Sequence, residues 1–151
     1  MPVHLDNSIV IRSSPEAIIE AAYAVERWPD LLPHYRWVRV VRNEEPGRRI
    51  VEMAARRGWL PLKWTSLQWR DDTAGKVFFR HLRGPTRGMF VEWRIEPLES
   101  GDTRVTIEHE LNYPIPWIGP LIAHYVVGEL FIRPTARRTL ACFKQILEQA
   151  G

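Results

Sequence analysis

The sequence lacks the residue patterns on which several classes of chemistry depend. Cys142 is the only cysteine among 151 residues, which excludes an internal disulfide and a cysteine-based zinc site. The five histidines show no His-x-His or HExxH spacing, so we expect neither a metal nor another cofactor. A serine nucleophile elbow and a glycine-rich phosphate loop are also missing. Acyl-enzyme and nucleotide chemistry are therefore not expected.

Long hydrophobic runs and dense charge of one sign are missing as well. No uncharged apolar run reaches the roughly 18 residues that span a bilayer, and the start MPVHLDNS does not have the pattern of a signal peptide. The net charge is +3 and no basic run is longer than two residues, which argues against nucleic-acid binding. With 45% hydrophobic and 26% charged residues, the composition predicts one cytoplasmic domain over residues 1–151.

Aromatic residues are abundant instead. The chain has seven Trp, four Tyr and five Phe, and several of them lie where strand alternation would direct them inward. Aromatic side chains bury large areas and offer flat faces, and Trp and Tyr add a polar group. Such a lining is typical of a pocket for a hydrophobic, aromatic ligand.

The order of predicted elements indicates an α+β fold. A strand at 5–12 is followed by a helix that begins at Pro15, with Ser14 as its cap, and continues to Trp28. WPDLLP adds a short second helix. Strand-like segments separated by turn chemistry then follow at 36–43, 48–57, 60–71, 76–83, 87–97 and 103–112. Together they predict a seven-stranded antiparallel sheet.

A long C-terminal helix is predicted over 121–149, with a kink at Pro134. Its second half has one apolar stripe, formed by Ile132, Ala136, Leu140, Phe143 and Leu147. In its first half the same phase directs Tyr125 and Glu129 toward the sheet, and Val127, Leu130 and Phe131 away from its centre. This pattern favours either a helix that lines a cavity or a shifted phase combined with a dimer contact.

Strand alternation identifies candidate polar groups on the inner face. His109 shares its face with Val105, Ile107 and Leu111, so we expect it to be inward as a general base or acid, or as a core histidine. In the strand at 76–83 either His81 or Arg80 faces inward, and Glu129 could pair with whichever one does.

Four stretches resemble proteins of the helix-grip fold, the START and Bet v 1-like superfamily, and especially its polyketide cyclase/dehydrase branch. They are DNSIVI at 6–11, WPDLLPHY at 28–35, KWTSLQW at 63–69 and Trp93 in VEWRIEP. The resemblance implies a sheet wrapped on the long C-terminal helix, with two short helices after the first strand. It also implies a pocket that encloses a hydrophobic ligand.

The resemblance further implies roles for individual residues. Trp28, Tyr35, Trp64 and Trp93 match aromatics that line the pocket of aromatase/cyclases. Those enzymes hold the polyketide with an arginine at the position of Gln68, and Arg70 lies two residues further on the same strand face. Gln68, Arg70 and His109 are thus the candidate catalytic residues.

Three functions remain open at this point. The first is a cyclase or dehydratase acting on a poly-β-ketone, and the second is a carrier for a lipid or an isoprenoid quinone. The third is a protein-interaction module. The patch of Val127, Leu130 and Phe131 would suit either a membrane surface or a homodimer.

Overall fold

One curved sheet and one long helix dominate the molecule in a computed structural model, which describes residues 2–44, 47–112 and 132–150. The strands are β1 Pro2–Ile11, β2 Tyr35–Asn43, β3 Arg48–Arg57, β4 Leu60–Asp71, β5 Lys76–Arg83, β6 Phe90–Pro97 and β7 Thr103–Asn112. The helices are α1 Pro15–Tyr23, α2 Trp28–Leu31 and α3 Arg133–Ala150. The seven-stranded α+β helix-grip architecture predicted from the sequence is confirmed.

Strands β2 to β7 form an antiparallel meander, and β1 closes its far side by pairing with β7. The resulting order is β1-β7-β6-β5-β4-β3-β2. Leu5 lies opposite His109 in the β1–β7 pair, and Val91 lies opposite His109 in the β6–β7 pair. Leu5 of β1, His109 of β7 and Val91 of β6 therefore lie side by side across three neighbouring strands.

Alternation along each strand separates a buried inner face from an outer face. In β7, Val105, Ile107 and Leu111 are buried, as predicted, whereas Arg104 and Glu110 are exposed. Successive side chains of a strand point to opposite faces, so the sequence period alone accounts for this division.

Helix α1 begins as predicted but ends early. The Ser14 hydroxyl oxygen accepts a hydrogen bond from the Ala17 amide at 3.2 Å, with Pro15 in the first turn. The helix ends at Tyr23 rather than continuing to Trp28, because Ala24 (ψ 61°) leaves the helical region and a 3-10 turn, Val25–Arg27, follows. The expected helix over 15–28 is thus wrong in its second half.

Strand β6 begins at Phe90, later than the expected residue 87. A turn occupies residues 84–87, and Gly88 has φ +90°, a conformation that side chains other than hydrogen rarely adopt. The Gly88 amide donates to the carbonyl of His81 at 2.9 Å, so this loop folds back on β5.

Helix α3 covers the inner face of the sheet. Its predicted stripe is confirmed at the described positions, since Ile132, Ala136, Leu140 and Phe143 are buried and Leu147 packs against them partly buried. No helix among the described residues is long and apolar enough to cross a membrane. The first half of the predicted helix, with Tyr125, Glu129, Val127, Leu130 and Phe131, and the segment leading to the kink at Pro134, lie outside the described residues.

Candidate functional site

A cavity of about 310 Å³ separates the inner face of the sheet from the beginning of α3. A volume near 300 Å³ is at the lower end of small-molecule sites. Its walls come from α2, from β2 to β7, from the loop at 84–89 and from α3. They are Trp28, Tyr35, Met53, Leu60, Leu62, Trp64, Phe79, His81, Pro85, Thr86, Met89, Val91, Trp93, Ile107, His109, Ile132, Thr135, Ala136 and Thr139.

Aromatic rings form the closed end of this cavity. Trp28 packs edge-on to Tyr35 with ring centroids 5.1 Å apart, and it lies 5.8 Å from Trp93. The Trp28 indole N–H donates to the carbonyl of Ala21 at 2.9 Å, which fixes the ring against the end of α1. Four ring positions predicted to line a pocket, Trp28, Tyr35, Trp64 and Trp93, therefore all lie in its wall.

His81, and not Arg80, faces the cavity. Its ring stacks on Trp64 at 5.7 Å with an interplanar angle of 6°, and Nδ1 lies 2.7 Å from the Thr86 hydroxyl oxygen. Arg80 is exposed on the outer face, 5.2 Å from the Phe90 ring. Burial lowers the pKa of His81 to about 4, so its imidazole is neutral at pH 7.

His109 lies in the same wall, across β6 from His81. Burial, with a smaller contribution from His81, lowers the pKa of His109 to about 3. The ring keeps partial accessibility because it borders the cavity, while its Nδ1 is buried and has no hydrogen-bond partner among the described residues. The cavity thus contains two neutral imidazoles, both able to accept a proton at pH 7.

A third buried histidine, His34, was not singled out from the sequence. The Thr139 hydroxyl donates to the carbonyl of Thr135 at 2.9 Å, so it accepts from Nε2 of His34, also at 2.9 Å. This fixes the proton of His34 on Nε2, and its buried Nδ1 has no hydrogen-bond partner within residues 2–44, 47–112 and 132–150. The sequence signal that could have indicated a site role for His34 is its position between Pro33 and the pocket residue Tyr35, immediately before β2.

Gln68 and Arg70 do not border the cavity. Gln68 is fully buried beneath the end of α1, where its side chain donates to the Tyr23 carbonyl at 3.0 Å and accepts from Arg49 Nε at 2.7 Å. Arg70 lies further along β4 and pairs with Glu20 at 2.8 Å. The structure brings His109 together with the four aromatic residues and His81, but not with Gln68 or Arg70.

The potential metal ligands of the described residues lie on the opposite face of the sheet. Ligand atoms of His4, Asp6 and Glu108 are all within 4.8 Å of one another and lie near the solvent. Arg94 is 3.2 Å from the Glu108 carboxylate, and His4 is 3.3 Å from Glu110. Glu108 and His4 therefore already have ion-pair partners within the protein.

A family model, "Polyketide cyclase / dehydrase and lipid transport", matches residues 2–148 of this chain. The match covers nearly all of the sequence, including every strand and most of α3. The chain belongs to this family. A comparison with curated protein sequences found no match.

Several solved structures share the fold of this chain. The Zhui aromatase/cyclase from Streptomyces sp. R1128 superposes with a TM-score of 0.85 at 18% identity, over 99% of this chain and 95% of that one. One half of the di-domain ARO/CYC StfQ, from the steffimycin biosynthetic pathway, gives 0.83 at 14% identity (99% and 52% covered). A START superfamily protein from Mycobacterium smegmatis gives 0.78 at 13% identity (98% and 99% covered).

Proposed function

We propose that this protein encloses a hydrophobic, aromatic or polycyclic small molecule in the cavity beneath α3. We further propose that it promotes cyclisation and dehydration of a poly-β-ketone, as the family membership and the aromatase/cyclase neighbours suggest. The observation that carries the proposal is a wall of aromatic rings interrupted by two neutral imidazoles, His81 and His109.

The aromatic wall selects the ligand class. Trp28, Tyr35, Trp64 and Trp93 supply flat apolar faces from four different elements, and Met53 and Ile107 add aliphatic surface to the same wall. Ring faces favour stacked and edge-on contacts with planar ligands. A ligand rich in conjugated rings or enolised carbonyls would match both the shape and the polarity of this surface.

His109 is the proton acceptor in this proposal. Because burial lowers its pKa to about 3, the ring is neutral at pH 7 and has one nitrogen that can accept a proton, although the lowered pKa also makes it a weaker base than an exposed histidine. His109 would take a proton from a carbon between two carbonyls, and the enolate carbon would then attack a ketone carbon of the same chain. The protonated imidazole returns this proton to the resulting alkoxide, which gives the aldol. His109 then removes the second proton from the same carbon and delivers it to the hydroxyl group, which departs as water. No cofactor is required.

A non-catalytic carrier of a lipid or an isoprenoid quinone is the second candidate, and one observation favours it. The polar groups of the described cavity wall are imidazoles, hydroxyls of threonine and the phenol of Tyr35, none of which is charged at pH 7. A wall without fixed charge does little to stabilise an enolate. It would, however, accept an apolar cargo at no electrostatic cost.

Exchange of His109 for glutamine separates the two candidates. His109→Gln keeps similar bulk and hydrogen-bonding groups but removes the titrating nitrogen. For a cyclase, turnover of a poly-β-ketone should fall by about 10² or more, with ligand affinity from tryptophan quenching nearly unchanged. The control is His4→Gln on the outer face, which should leave turnover unaffected.

The same measurements can overturn the proposal. Wild-type protein that quenches with the ligand but never accelerates its cyclisation above the buffer rate would leave only the carrier. Emission that stays flat across a panel of aromatic and isoprenoid ligands would remove both candidates.

A further inference from the structure

The carboxylates of the hairpin turns gather at one end of the sheet, whereas basic side chains occur at both ends. Outside the turns, the exposed Glu110 of β7 lies toward the other end, opposite Phe90, and pairs with His4. In an antiparallel meander, alternate turns lie at the same end of the sheet. The β2–β3, β4–β5 and β6–β7 turns share one end and carry Glu44, Asp71, Asp72, Glu99 and Asp102. The β3–β4 and β5–β6 turns share the other end and carry basic residues only.

The basic end has no nearby carboxylate in the sequence of its two hairpins. Neither 53–70 nor 73–91 contains Asp or Glu. The exposed cations nearest these two turns are Arg56, Lys63, Arg83 and Arg87, and none of them is within ion-pair distance of a described carboxylate. At the acidic end, by contrast, Arg42 pairs with Glu44 at 2.5 Å.

An isolated tryptophan projects from the same end. Trp59 occupies the tip of the β3–β4 hairpin and is 88% exposed, more than any other large hydrophobic side chain among the described residues. The preceding Gly58 has φ +60° and open space around it, so no part of the described protein covers the tip. An indole that is not needed for packing keeps its full apolar area available to a partner.

The cavity reaches this end of the sheet. Leu60 and Leu62, which follow Trp59 directly, and Pro85 and Thr86 of the β5–β6 loop all belong to its wall. A surface that receives Trp59 would therefore lie beside the route into an apolar cavity.

We propose that the β3–β4 tip and the β5–β6 loop dock this protein on an anionic lipid bilayer, with Trp59 at the interface and Arg56, Lys63, Arg83 and Arg87 facing the headgroups. Tryptophan is enriched at the level of the lipid headgroups. Basic side chains are attracted to the negative surface potential of a bilayer that contains anionic lipids. Docking here would let an apolar ligand pass between bilayer and cavity without crossing bulk water. This property is independent of whether any reaction follows.

The shape of the surface favours a bilayer over an acidic protein. Trp59 stands on a convex two-residue tip, and the four cations are spread over two turns rather than gathered in a pocket. A soft interface accommodates such a protrusion, whereas a protein partner would need a matching recess. Binding of an acidic protein at this surface is the alternative to binding of a bilayer, and the test below distinguishes the two.

The test measures co-sedimentation of the whole protein with vesicles. Phosphatidylcholine vesicles with about one-third phosphatidylglycerol should bind wild-type protein, and pure phosphatidylcholine vesicles should bind it weakly. Trp59→Ser, and the pair Arg56→Glu with Arg87→Glu, should each weaken binding by at least about tenfold. High salt should weaken binding of the wild type as well.

The matched control reverses two exposed arginines at the acidic end, Arg48→Glu with Arg104→Glu. Both pairs change the net charge from +3 by the same four units, to −1, so a bulk charge effect would act on them equally. Thermal unfolding and ligand quenching should be unchanged in every variant, which separates loss of docking from loss of the cavity.

Three results would overturn the proposal. The first is no binding of the wild type to anionic vesicles, and the second is equal binding by the two charge-reversed proteins. The third is binding that depends on the arginines but not on Trp59 and that polyglutamate abolishes, which would identify the surface as a site for an acidic protein.

Discussion

Arg49 is the residue on which the junction between the sheet and α1 depends. It is 9% exposed, and its guanidinium donates to Gln68 at 2.7 Å, to Glu26 at 2.8 Å and to the Tyr23 carbonyl. The Tyr23 carbonyl is free to accept because the helix ends there. The Arg49 guanidinium also holds the pKa of the Glu26 carboxyl below its usual 4.5. A charged group with this many partners stabilises the position of the 3-10 turn, and through it Trp28.

Replacing Arg49 by methionine tests this role. Arg49→Met keeps the apolar length but removes the donor to the buried side-chain oxygen of Gln68 and the partner of the Glu26 carboxylate, so the unfolding free energy should fall by about 2 to 4 kcal/mol. Denaturant titration measures the change. Arg39→Met, which removes an exposed partner of Glu52, should cost less than about 1 kcal/mol. A similar cost for both would show that the buried network contributes little.

Single residues were the hardest level to predict from the sequence. Alternation placed His109 on the inner face correctly because β7 is regular over its whole length. It could not choose between Arg80 and His81, since both faces of β5 carry apolar residues, Val77 and Phe79 on the face of His81 and Phe78 and Leu82 on the face of Arg80. In the fold, His81 stacks on Trp64 and faces inward. The family resemblance put Gln68 among the candidate site residues but could not show that the end of α1, rather than the cavity, lies above it.

At the scale of elements, the β5–β6 loop packs against β4 and contributes Pro85, Thr86 and Met89 to the cavity wall. Gly84 has φ +115°, and a Cβ built on it would lie 2.8 Å from the carbonyl oxygen of Lys63 and 2.8 Å from the Trp64 Cβ. Real Cβ atoms do not approach this closely, so only glycine lets the loop pack against β4. That packing brings Thr86 within hydrogen-bond distance of His81.

Gly84→Ala should therefore disturb both stability and the cavity. We expect a loss of about 3 kcal/mol or more, from the clash together with the positive φ, and a weaker ligand affinity because Trp64 must move. Gly58→Ala is the control, since Gly58 also has a positive φ but has open space around it. Its cost should stay near 1 kcal/mol, with affinity unchanged. Equal losses would mean that backbone conformation, and not contact, decides the effect.

Element boundaries show where local sequence was sufficient. Most strand starts and ends followed the turn residues closely, because Gly, Asp and Pro are concentrated in the hairpin turns. The end of α1 did not follow, because no Pro or Gly marks Ala24. The helix ends there when Arg49 and Gln68, distant in sequence, take up the Tyr23 carbonyl.

At the scale of the whole molecule, the gathering of the turn carboxylates at one end of the sheet could have been read from the sequence and was missed. The acidic and basic turns alternate along the chain, so the basic residues look scattered when they are only counted. Once the antiparallel order is known, every second turn falls at one end of the sheet. The net charge of +3 describes the sum and conceals this arrangement.

Three buried histidines also give the whole protein a predictable dependence of stability on pH. Burial lowers the pKa of His34 and His81 to about 4, and that of His109 to about 3, all below the usual 6.5. In the unfolded chain these rings bind protons from about pH 6.5 downward, while the folded protein excludes them. Stability should therefore be complete above pH 7 and decrease as pH falls toward 4.

Between pH 7 and 5 this loss should amount to on the order of 2 kcal/mol for each buried histidine. The carboxyls of Glu26 and Glu148, whose pKa values lie below 4.5, lose their contributions only at lower pH, so this window isolates the histidines. His34→Gln retains a donor for Thr139 and should remove about one-third of the slope of unfolding free energy against pH. A slope unaffected by His34→Gln would mean that the folded protein admits a proton at His34, in contradiction to its burial beside Thr139.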